Sequence, residues 1–278
     1  MSWGVIASKE FEDAVRSRLL WGVVAFVAVM VSVTFLVPMV VPALDTGVLA
    51  ALGGASEFAS LLVPVVSLVA AYLAVAGERE SGSLRLLLGL EPSRWAVVLG
   101  KFLGRSAVVV VGLAAGFVLA GVVAWAVYGS VPLAAFAGVV ALTAALGVAF
   151  VGIAIGISAA TATRARAMTI GIGVYLALSL LWDLVPQGAH LAAFGAPPGQ
   201  PVPAWFVFLQ GASPSGAYSA LVMNVIHAVE PSYPAATAGI EGAVPFFVEW
   251  WSFAAILVAW TIVPVLVGGY VFGRADLN

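Results

Sequence analysis

Long charge-free stretches are the feature of this sequence that most restricts its fold. Residues 19–44, 58–77, 106–163, 167–182 and 250–273 contain no Asp, Glu, Lys or Arg. Only 9% of the 278 residues are charged and 63% are hydrophobic, whereas a soluble domain carries about 25% charged residues. So few charges could not cover the surface of a water-soluble fold, which excludes a soluble enzyme and a disordered chain. We therefore expect an integral membrane protein.

The charge-free stretches predict six membrane-spanning helices. A helix needs about 20 apolar residues to cross roughly 30 Å of hydrocarbon, and every backbone group must bond within its own segment there. The predicted spans are residues 19–37, 58–76, 106–127, 133–158, 167–185 and 250–272. The first is too long for a signal peptide and follows a mixed-charge segment, so we expect it to be retained. The predicted fold class is an all-α integral membrane protein, with residues 1–278 forming a single transmembrane domain.

The cationic residues predict the orientation of these spans. All 11 Lys and Arg side chains fall on one side of the predicted topology. They are Lys9, Arg16, Arg18, Arg79, Arg85, Arg94, Lys101, Arg105, Arg164, Arg166 and Arg274. The other side carries only carboxylates, namely Asp45, Glu57, Asp183, Glu230, Glu241 and Glu249. The positive-inside rule then places both termini in the cytoplasm, with the protein in the cytoplasmic membrane.

Two of the segments outside the predicted spans, residues 1–18 and 186–248, have patterns of their own. Residues 1–18 form an amphipathic pattern, with Trp3, Ala7, Phe11, Ala14 and Val15 at helical spacing and Lys9, Glu10, Glu12, Asp13 and Arg16 on other faces. This segment is either a solvated cytoplasmic helix or an interfacial elbow helix that leads into the first span. Residues 186–248 contain most of the 15 prolines, and we interpret them as an external lid or gate over the spans.

The cytoplasmic loop of residues 78–105 contains a short leucine-rich helix, Leu84–Leu88. Gly89 can end this helix, and Pro92 suits the first turn of the next one. Its apolar face can lie on the membrane or dock in a groove of another protein. The spacing alone leaves both alternatives open.

Several kinds of chemistry have no matching motif. Gly100-Lys101 is followed by Phe102 and lacks a phosphate-binding loop, so an ATP-driven function would need a separate ATPase polypeptide. Neither the two His residues, nor the five Met, nor the absence of Cys suggests a metal site. No cofactor is expected, and the net charge of −2 gives no basic surface for nucleic acid. Glycine pairs such as Gly100/Gly104 and Gly152/Gly156 permit close helix packing.

Two segments resemble ABC-2 type transporter permeases. The first is Ile6-Ala7-Ser8-Lys9-Glu10-Phe11, followed by Arg16-Ser17-Arg18. The second runs from Gly77-Glu78-Arg79-Glu80-Ser81-Gly82 through Leu84-Arg85-Leu86-Leu87-Leu88 and Pro92-Ser93-Arg94 to Leu99-Gly100-Lys101-Phe102-Leu103-Gly104. Residues 213–218, Ser-Pro-Ser-Gly-Ala-Tyr, are similar to the outer Asn-Pro…Tyr segment of permease subunits from nitrous-oxide-reductase maturation transporters, with Ser213 replacing Asn.

The resemblance implies a permease without an ATPase site of its own, most simply an exporter. Its expected partners are a cytoplasmic ABC ATPase subunit, a second permease chain in a homodimer, and membrane lipid. Leu84–Leu88 would be the coupling helix that docks on the ATPase. The residues implied for this coupling are Glu78, Glu80, Ser81, Gly82, Leu84, Arg85, Leu87, Leu88, Pro92 and Arg94, and those for an external gate are Pro214 and Tyr218.

Two alternatives remain open at this level. One is a non-transporting membrane scaffold or sensor with the same fold. The other is an intramembrane serine protease that uses Ser213 or Ser215 with His227. The prolines and the loop context around these serines argue against a rigid Ser–His pair.

Overall fold

The protein is almost entirely helical. The computed structural model describes residues 3–16, 18–41, 47–82 and 93–275. Within these ranges the only β contact is an isolated bridge between Val202 and Ile240. The all-α class predicted from the sequence is therefore confirmed over the residues described.

Eleven α-helices, numbered in chain order, make up the described part of the chain. They are α1 (Trp3–Arg16), α2 (Arg18–Val40), α3 (Gly47–Ala71), α4 (Ala76–Ser81), α5 (Arg94–Tyr128), α6 (Leu133–Ala160), α7 (Arg164–Tyr175), α8 (Leu184–Phe194), α9 (Ala204–Gln210), α10 (Pro214–Val229) and α11 (Trp250–Arg274). The π-helical segment Leu176–Leu180 continues α7, and a 3-10 turn, Phe246–Val248, precedes α11.

Within the described ranges, four to six segments could cross a membrane by length and composition. Helices α5, α6 and α11, and α3 taken together with α4, are long and apolar enough on their own. Two bent pairs reach the required length only when each is counted as one span. In the first, α1 meets α2 at 66°; in the second, Arg164–Leu180 meets α8 at 53°. The predicted number of six corresponds to counting both pairs.

Helix boundaries differ from the predicted spans at their polar ends. Helix α3 begins at Gly47 instead of residue 58 and includes Glu57. Helix α5 begins at Arg94 instead of residue 106, with the Ser93 hydroxyl accepting a hydrogen bond from the Ala96 N–H at 3.1 Å. Charged residues set the limits of the predicted spans, but a charged side chain does not interrupt the backbone hydrogen bonds of a helix. Both helices therefore extend past the predicted limits.

Helix α6 is the centre of the packing and contacts α3, α5, α10 and α11. Its closest approach is to α11, where a Cβ on Gly152 would lie 2.5 Å from the Thr261 carbonyl oxygen. A Cβ on Gly156 would overlap the carbonyl oxygen of Pro264. Glycine at both positions therefore lets the two backbones touch, as the Gly152/Gly156 spacing permits.

The outward faces of the long helices are apolar. On α11, for example, Val258, Val263 and Val267 are exposed, whereas Phe253 and Phe272 are fully buried. A large exposed apolar surface is unfavourable in water and suits hydrocarbon. The bundle thus has a packed interior and a lipid-compatible exterior.

Candidate functional site

Helix α1 lies directly on the backbone of α5. A Cβ on Gly100 would lie 2.7 Å from the Ile6 Cβ, and one on Gly104 would lie 2.6 Å from the Glu10 Cβ. Ile6 is buried in this contact, and Glu10 faces α5 rather than solvent. Glu10, which the sequence pattern places off the apolar face of α1, has its partners on another helix.

Those partners belong to a partly buried ion-pair cluster. The Lys101 ammonium, whose side chain is 2% exposed, donates to Glu10 Oε1 at 2.6 Å and to Glu78 Oε1 at 2.7 Å. Arg105 binds the second carboxylate oxygen of Glu10 at 2.8 Å. We call Lys101, Arg105, Glu10 and Glu78 the Lys101 cluster. Its two positive and two negative charges balance, as a buried group of ions requires.

The Lys101 cluster joins three helices and contacts the end of a fourth. Glu10 belongs to α1, Glu78 to α4, and Lys101 and Arg105 to α5. Arg105 also donates to the Ala70 carbonyl at the end of α3, at 3.2 Å. Burial on its own would raise the pKa of Glu10, but the nearby charges of Lys101 and Arg105 leave that pKa below its usual value.

A second contact holds α4 against α7. The Glu80 carboxylate accepts a hydrogen bond from the backbone N–H of Arg164 at 2.6 Å, at the first turn of α7. A carboxylate is favourable at that position because the first N–H groups of a helix have no partners within the helix. Ser158 of α6 supports the start of α4, since its hydroxyl accepts from the N–H groups of Val75 and Ala76.

Arg94 joins the start of α5 to the end of α11. Its guanidinium donates to the carbonyl oxygens of Phe272 at 2.8 Å, Gly273 at 3.2 Å and Ala275 at 2.7 Å. These carbonyls belong to the last turn of α11 and the residue after it, where a cation is favoured. We call the end of the bundle that carries Arg94, the Lys101 cluster and Arg164 the basic end.

The structure places half of the residues implied for coupling at this basic end. Glu78, Glu80, Ser81 and Gly82 form α4 and its C-cap, where Gly82 has a φ of +77°, and Arg94 begins α5. The other members, Leu84, Arg85, Leu87, Leu88 and Pro92, lie outside the described residues. Glu78, Glu80 and Arg94 bind other elements of this chain, so they fix the two flanks of residues 83–92.

The opposite end of the bundle contains a cavity of about 370 Å³ with apolar and polar side chains in its wall. Its wall includes the carboxylates Glu57 and Asp183 and several serine hydroxyls. Ser215 donates to the Ser60 carbonyl at 3.2 Å and contacts the Ser179 hydroxyl at 3.1 Å. The cavity therefore lies between α3, the π-helical segment and α10. We call it the outer cavity.

The implied gate residues Pro214 and Tyr218 lie beside the outer cavity, within the packing of α10. Ser213 is the N-cap of α10 and accepts from the Gly216 N–H at 3.0 Å, and Pro214 is the first helical residue. The Tyr218 hydroxyl is fully buried and 3.0 Å from the Thr143 hydroxyl, which donates to the Val139 carbonyl. Tyr218 is thus the donor to Thr143 and connects α10 to α6.

Comparison with known proteins identifies the family. The model for ABC-2 family transporter proteins matches residues 4–277. The chain belongs to the ABC-2 transporter family. The family predicted from the N-terminal segment and residues 77–104 is confirmed, and the protein is a multi-pass membrane permease of the ABC transporter type.

Two relatives of this ABC-2 permease carry the same printed name, "Probable ABC transporter permease protein NosY". The one from Stutzerimonas stutzeri is 26% identical over 275 residues, which cover 97% of each chain. The one from Pseudomonas aeruginosa is 30% identical over 188 residues, which cover 64% of this chain and 67% of the relative.

The protease alternative does not fit the geometry of this ABC-2 permease. Ser213 and Ser215 lie at the first turn of α10 and His227 at its last turn. At 1.5 Å per residue, Ser215 and His227 are roughly 18 Å apart along the helix axis, whereas proton transfer needs about 3 Å. The Nδ1 atom of His227 instead contacts the Tyr233 carbonyl at 2.7 Å. The proposed Ser–His pair is therefore wrong.

Glu10, Lys101, Arg105 and Arg164 of this ABC-2 permease were not predicted as site residues from the sequence. A usable signal was present, because Lys101 and Arg105 each follow a glycine at a spacing of one helical turn. A glycine beside a cation, repeated one helical turn later, marks a helix face that can contact another helix. The glycines let that helix come close, and the cations can pair with a carboxylate on it. The sequence does not show which carboxylates pair with Lys101 and Arg105, because the pairing depends on how the helices pack.

Proposed function

We propose that the chain is the membrane-spanning subunit of an ATP-driven exporter whose ATPase is a separate cytoplasmic polypeptide. The chain crosses the cytoplasmic membrane six times, with both termini and the basic end in the cytoplasm. The ATPase docks on residues 83–92 and transmits its movement to the helices. Two copies of the chain pair around a two-fold axis, as most homo-oligomers do.

The arrangement of the two flanks of residues 83–92 carries this proposal. On one side, α4 is held by Glu78 to Lys101 and by Glu80 to the start of α7. On the other side, Arg94 is held to the end of α11. Displacement of the segment would therefore pull on α1, α5, α7 and α11 together. Rigid-body movement of this kind is a common way to couple two distant sites.

The six crossings are supported by the ends that each bent pair connects. Helix α1 lies at the basic end, through Glu10, whereas Phe35 of α2 contacts Tyr128 at the far end of α5 with ring centroids 6.4 Å apart. Arg164 lies beside Glu80 at the basic end, whereas Ser179 lies in the outer cavity. Residues 164–180, at about 1.5 Å per residue, extend roughly 25 Å, which is close to the hydrocarbon thickness.

The outer cavity is the proposed external end of the translocation path. Its wall includes Ser213 and Ser215, which flank Pro214. Helix α10, which carries both residues implied for an external gate, connects it to α6 through Tyr218. Two indole N–H groups secure the chain before α10, from Trp182 to the Leu209 carbonyl and from Trp260 to the Ala212 carbonyl. Rearrangement of α9 and α10 would therefore open or close the cavity.

Purification of the chain with its ATPase tests the docking proposal. The tagged chain, isolated from its native membrane, is exposed to a photoreactive ATP analogue. We expect a labelled cytoplasmic polypeptide to co-purify with the native chain. The double variant Leu87→Asp, Leu88→Asp should lose at least about nine-tenths of it, because two carboxylates cannot enter an apolar groove unpaired.

The matched control is Val5→Asp, Val15→Asp on α1, where both side chains are exposed. This variant makes the same kind of change outside residues 83–92 and should retain the labelled polypeptide. Insertion of every variant is checked by membrane extraction with alkali. A Leu87/Leu88 variant that inserts normally and keeps the native amount of ATPase would show that docking lies elsewhere.

A further inference from the structure

Helix α8 is apolar, yet most of its surface is uncovered. Four of its large side chains are 47–61% exposed, namely Leu184, Val185, Leu191 and Phe194. Among the described helices it packs mainly against α9, which has only seven residues. A helix of 11 residues is marginal on its own in water, and exposed apolar side chains make it less favourable still. Helix α8 therefore needs a covering that the described part of the chain does not supply.

The exposed apolar side chains spread over too wide an arc for one packed helix. At about 100° per residue, these four side chains cover about 180° of the circumference of α8. The apolar stripe by which a helix packs against a protein is typically about 100° wide. Hydrocarbon chains can instead cover a helix from every open side. The width of the arc therefore favours lipid over a second copy of this chain.

The charge pattern favours lipid over water or a soluble external protein. Residues 184–229 contain no Asp, Glu, Lys or Arg, whereas a solvated surface needs such residues. A docking surface for a soluble protein has a polar rim, but Gln187 is the one exposed side chain of α8 that is polar. The uncovered surface also continues the apolar exterior of the preceding span, where Ile172, Leu176 and Leu180 are exposed. Lipid is thus the covering that fits both the composition and the neighbouring surface.

The direction of α8 places it at the outer edge of the hydrocarbon. Residues 164–180 extend roughly 25 Å, and α8 then leaves at 53° to them. Along the direction of α7 its residues rise by roughly 10 Å, while they run sideways by roughly 13 Å. The hydrocarbon is about 30 Å thick, and each headgroup layer adds about 5–7 Å. Helix α8 would therefore run from the hydrocarbon into a headgroup layer.

An aromatic cluster marks the far end of α8. The rings of Phe194 and Trp205 are stacked, with centroids 6.4 Å apart and an interplanar angle of 9°. The His190 ring lies 4.7 Å from Phe194 and 6.2 Å from Trp205, and its Nδ1 atom is 3.0 Å from the Ala196 carbonyl oxygen. Tryptophan concentrates at headgroup level because its ring is apolar and carries one polar N–H. The cluster thus holds Trp205 beside the end of α8 that reaches the headgroups.

We propose that α8 lies in the outer leaflet of the membrane, inclined from the hydrocarbon to the headgroups, with Phe194 and Trp205 at headgroup level. Its binding partner is the lipid bilayer. The inference rests on the proposed function for the side of the membrane, because the outer leaflet follows from a cytoplasmic basic end. Trp182 and Asp183 line the outer cavity and directly precede α8, so lipid contact holds one wall of this cavity in place.

Single spin labels on α8 test this inference. The chain contains no Cys, so Leu184→Cys and Leu191→Cys each give one attachment point on an exposed side chain. The full-length variants are reconstituted into bilayers of phosphatidylcholine. The collision rate of each label is measured with oxygen, which concentrates in hydrocarbon, and with a water-soluble nickel complex. Val258→Cys on α11 is the reference for lipid and Ser232→Cys the reference for water, since both residues are exposed.

We expect the ratio of oxygen to nickel collisions at both α8 positions to exceed that of Ser232→Cys at least about fivefold, because a polar complex is excluded from hydrocarbon. Leu184→Cys should approach the ratio of Val258→Cys, and Leu191→Cys, nearer the headgroups, should lie between the two references. Ratios equal to that of Ser232→Cys would show that α8 lies in water. Low collision rates with both reagents would show that a second copy or an external protein covers it. Either of these results overturns the inference.

The side of the membrane is decided by a separate measurement, the labelling of Ser232→Cys in intact cells. Protection of this position would count against the orientation in the proposed function. The collision ratios would still report whether α8 contacts lipid, so the two failures are distinguishable.

Discussion

Ser213 stands at the position where the similar external permease segment has Asn, and the structure shows its role as a helix cap. The chain has Ser-Pro where the similar external segment has Asn-Pro, yet both Ser and Asn are strongly preferred N-caps. The Ser213 hydroxyl accepts from the Gly216 N–H, and Pro214 follows as the first helical residue, where its missing N–H costs nothing. In this chain the segment is therefore a helix start, with Ser213 as its N-cap.

This interpretation predicts the behaviour of two substitutions at Ser213. Ser213→Ala should lower the free energy of unfolding by about 1 kcal/mol, because the Gly216 N–H loses its acceptor. Ser213→Asn should change it by less than about 0.5 kcal/mol, because the amide oxygen can cap the same group. Both values come from thermal unfolding of the purified chain in detergent.

Ser219→Ala is the control for these measurements, since Ser219 is exposed on the same helix and lines the same cavity. It should be nearly neutral. Equal destabilisation by Ser213→Ala and Ser219→Ala would mean that the Ser213 hydroxyl has no capping role, and the interpretation of the segment as a helix start would lose its support.

Residues that carry charge could be predicted from the sequence, but their partners could not. The clustering of Lys and Arg identified the basic end, because that clustering follows from membrane topology. The pairing of Lys101 with Glu10 depends on α1 lying across α5, which no periodicity within α1 specifies. Amphipathicity separates the apolar face of a helix from its charged faces, but it does not show which helix Glu10 contacts.

At the scale of helices, the contact between α6 and α11 makes a sharp prediction. Gly156→Ala should destabilise the protein by roughly 1–3 kcal/mol, because the new methyl group would overlap the backbone oxygen of Pro264, which cannot rotate away. Gly173→Ala is the matched control: it is also helical and exposed, with no atom within 4 Å of the new Cβ. It should be neutral or stabilising by up to about 1 kcal/mol.

The midpoint of thermal unfolding, followed by size-exclusion profile, distinguishes the two variants. Opposite signs are expected for the two Gly→Ala changes. If Gly156→Ala unfolds at the native temperature, then α6 and α11 are further apart than described, and the glycine spacing has no packing role.

The existence of helices was easier to predict from the sequence than their limits. Charge-free stretches located the apolar core of each long helix, because hydrocarbon excludes charge and forces helical hydrogen bonding. They gave poor boundaries for α3 and α5, since a helix continues past the hydrocarbon as long as its backbone groups are satisfied. Helices α9 and α10 lie within residues 186–248, for which the sequence predicted an external lid or gate without helix limits, because proline-rich sequence does not specify how short helices pack.

For the whole molecule, the number of crossings depends on the two bent pairs. If α2 did not cross, Ser8 and Ser81 would lie on opposite sides of the membrane. If α7 and its π-helical continuation did not cross, Ser232, which lies between α8 and α11, would be on the same side as Ser81. Each bent pair is therefore tested by one position, and all three serines are exposed.

The chain has no Cys of its own, so a single cysteine can be introduced at each of these three positions. Labelling in intact cells then shows on which side of the membrane each position lies. A membrane-impermeant maleimide should label Ser232→Cys at once and should label Ser8→Cys and Ser81→Cys only after permeabilisation. This pattern requires both bent pairs to cross, because each crossing reverses the side on which the next segment lies. Labelling of Ser8→Cys in intact cells would remove the first crossing, and protection of Ser232→Cys would remove the fifth. Labelling of Ser81→Cys from outside would place residues 83–92 out of reach of any cytoplasmic ATPase, because the docking segment follows α4 directly.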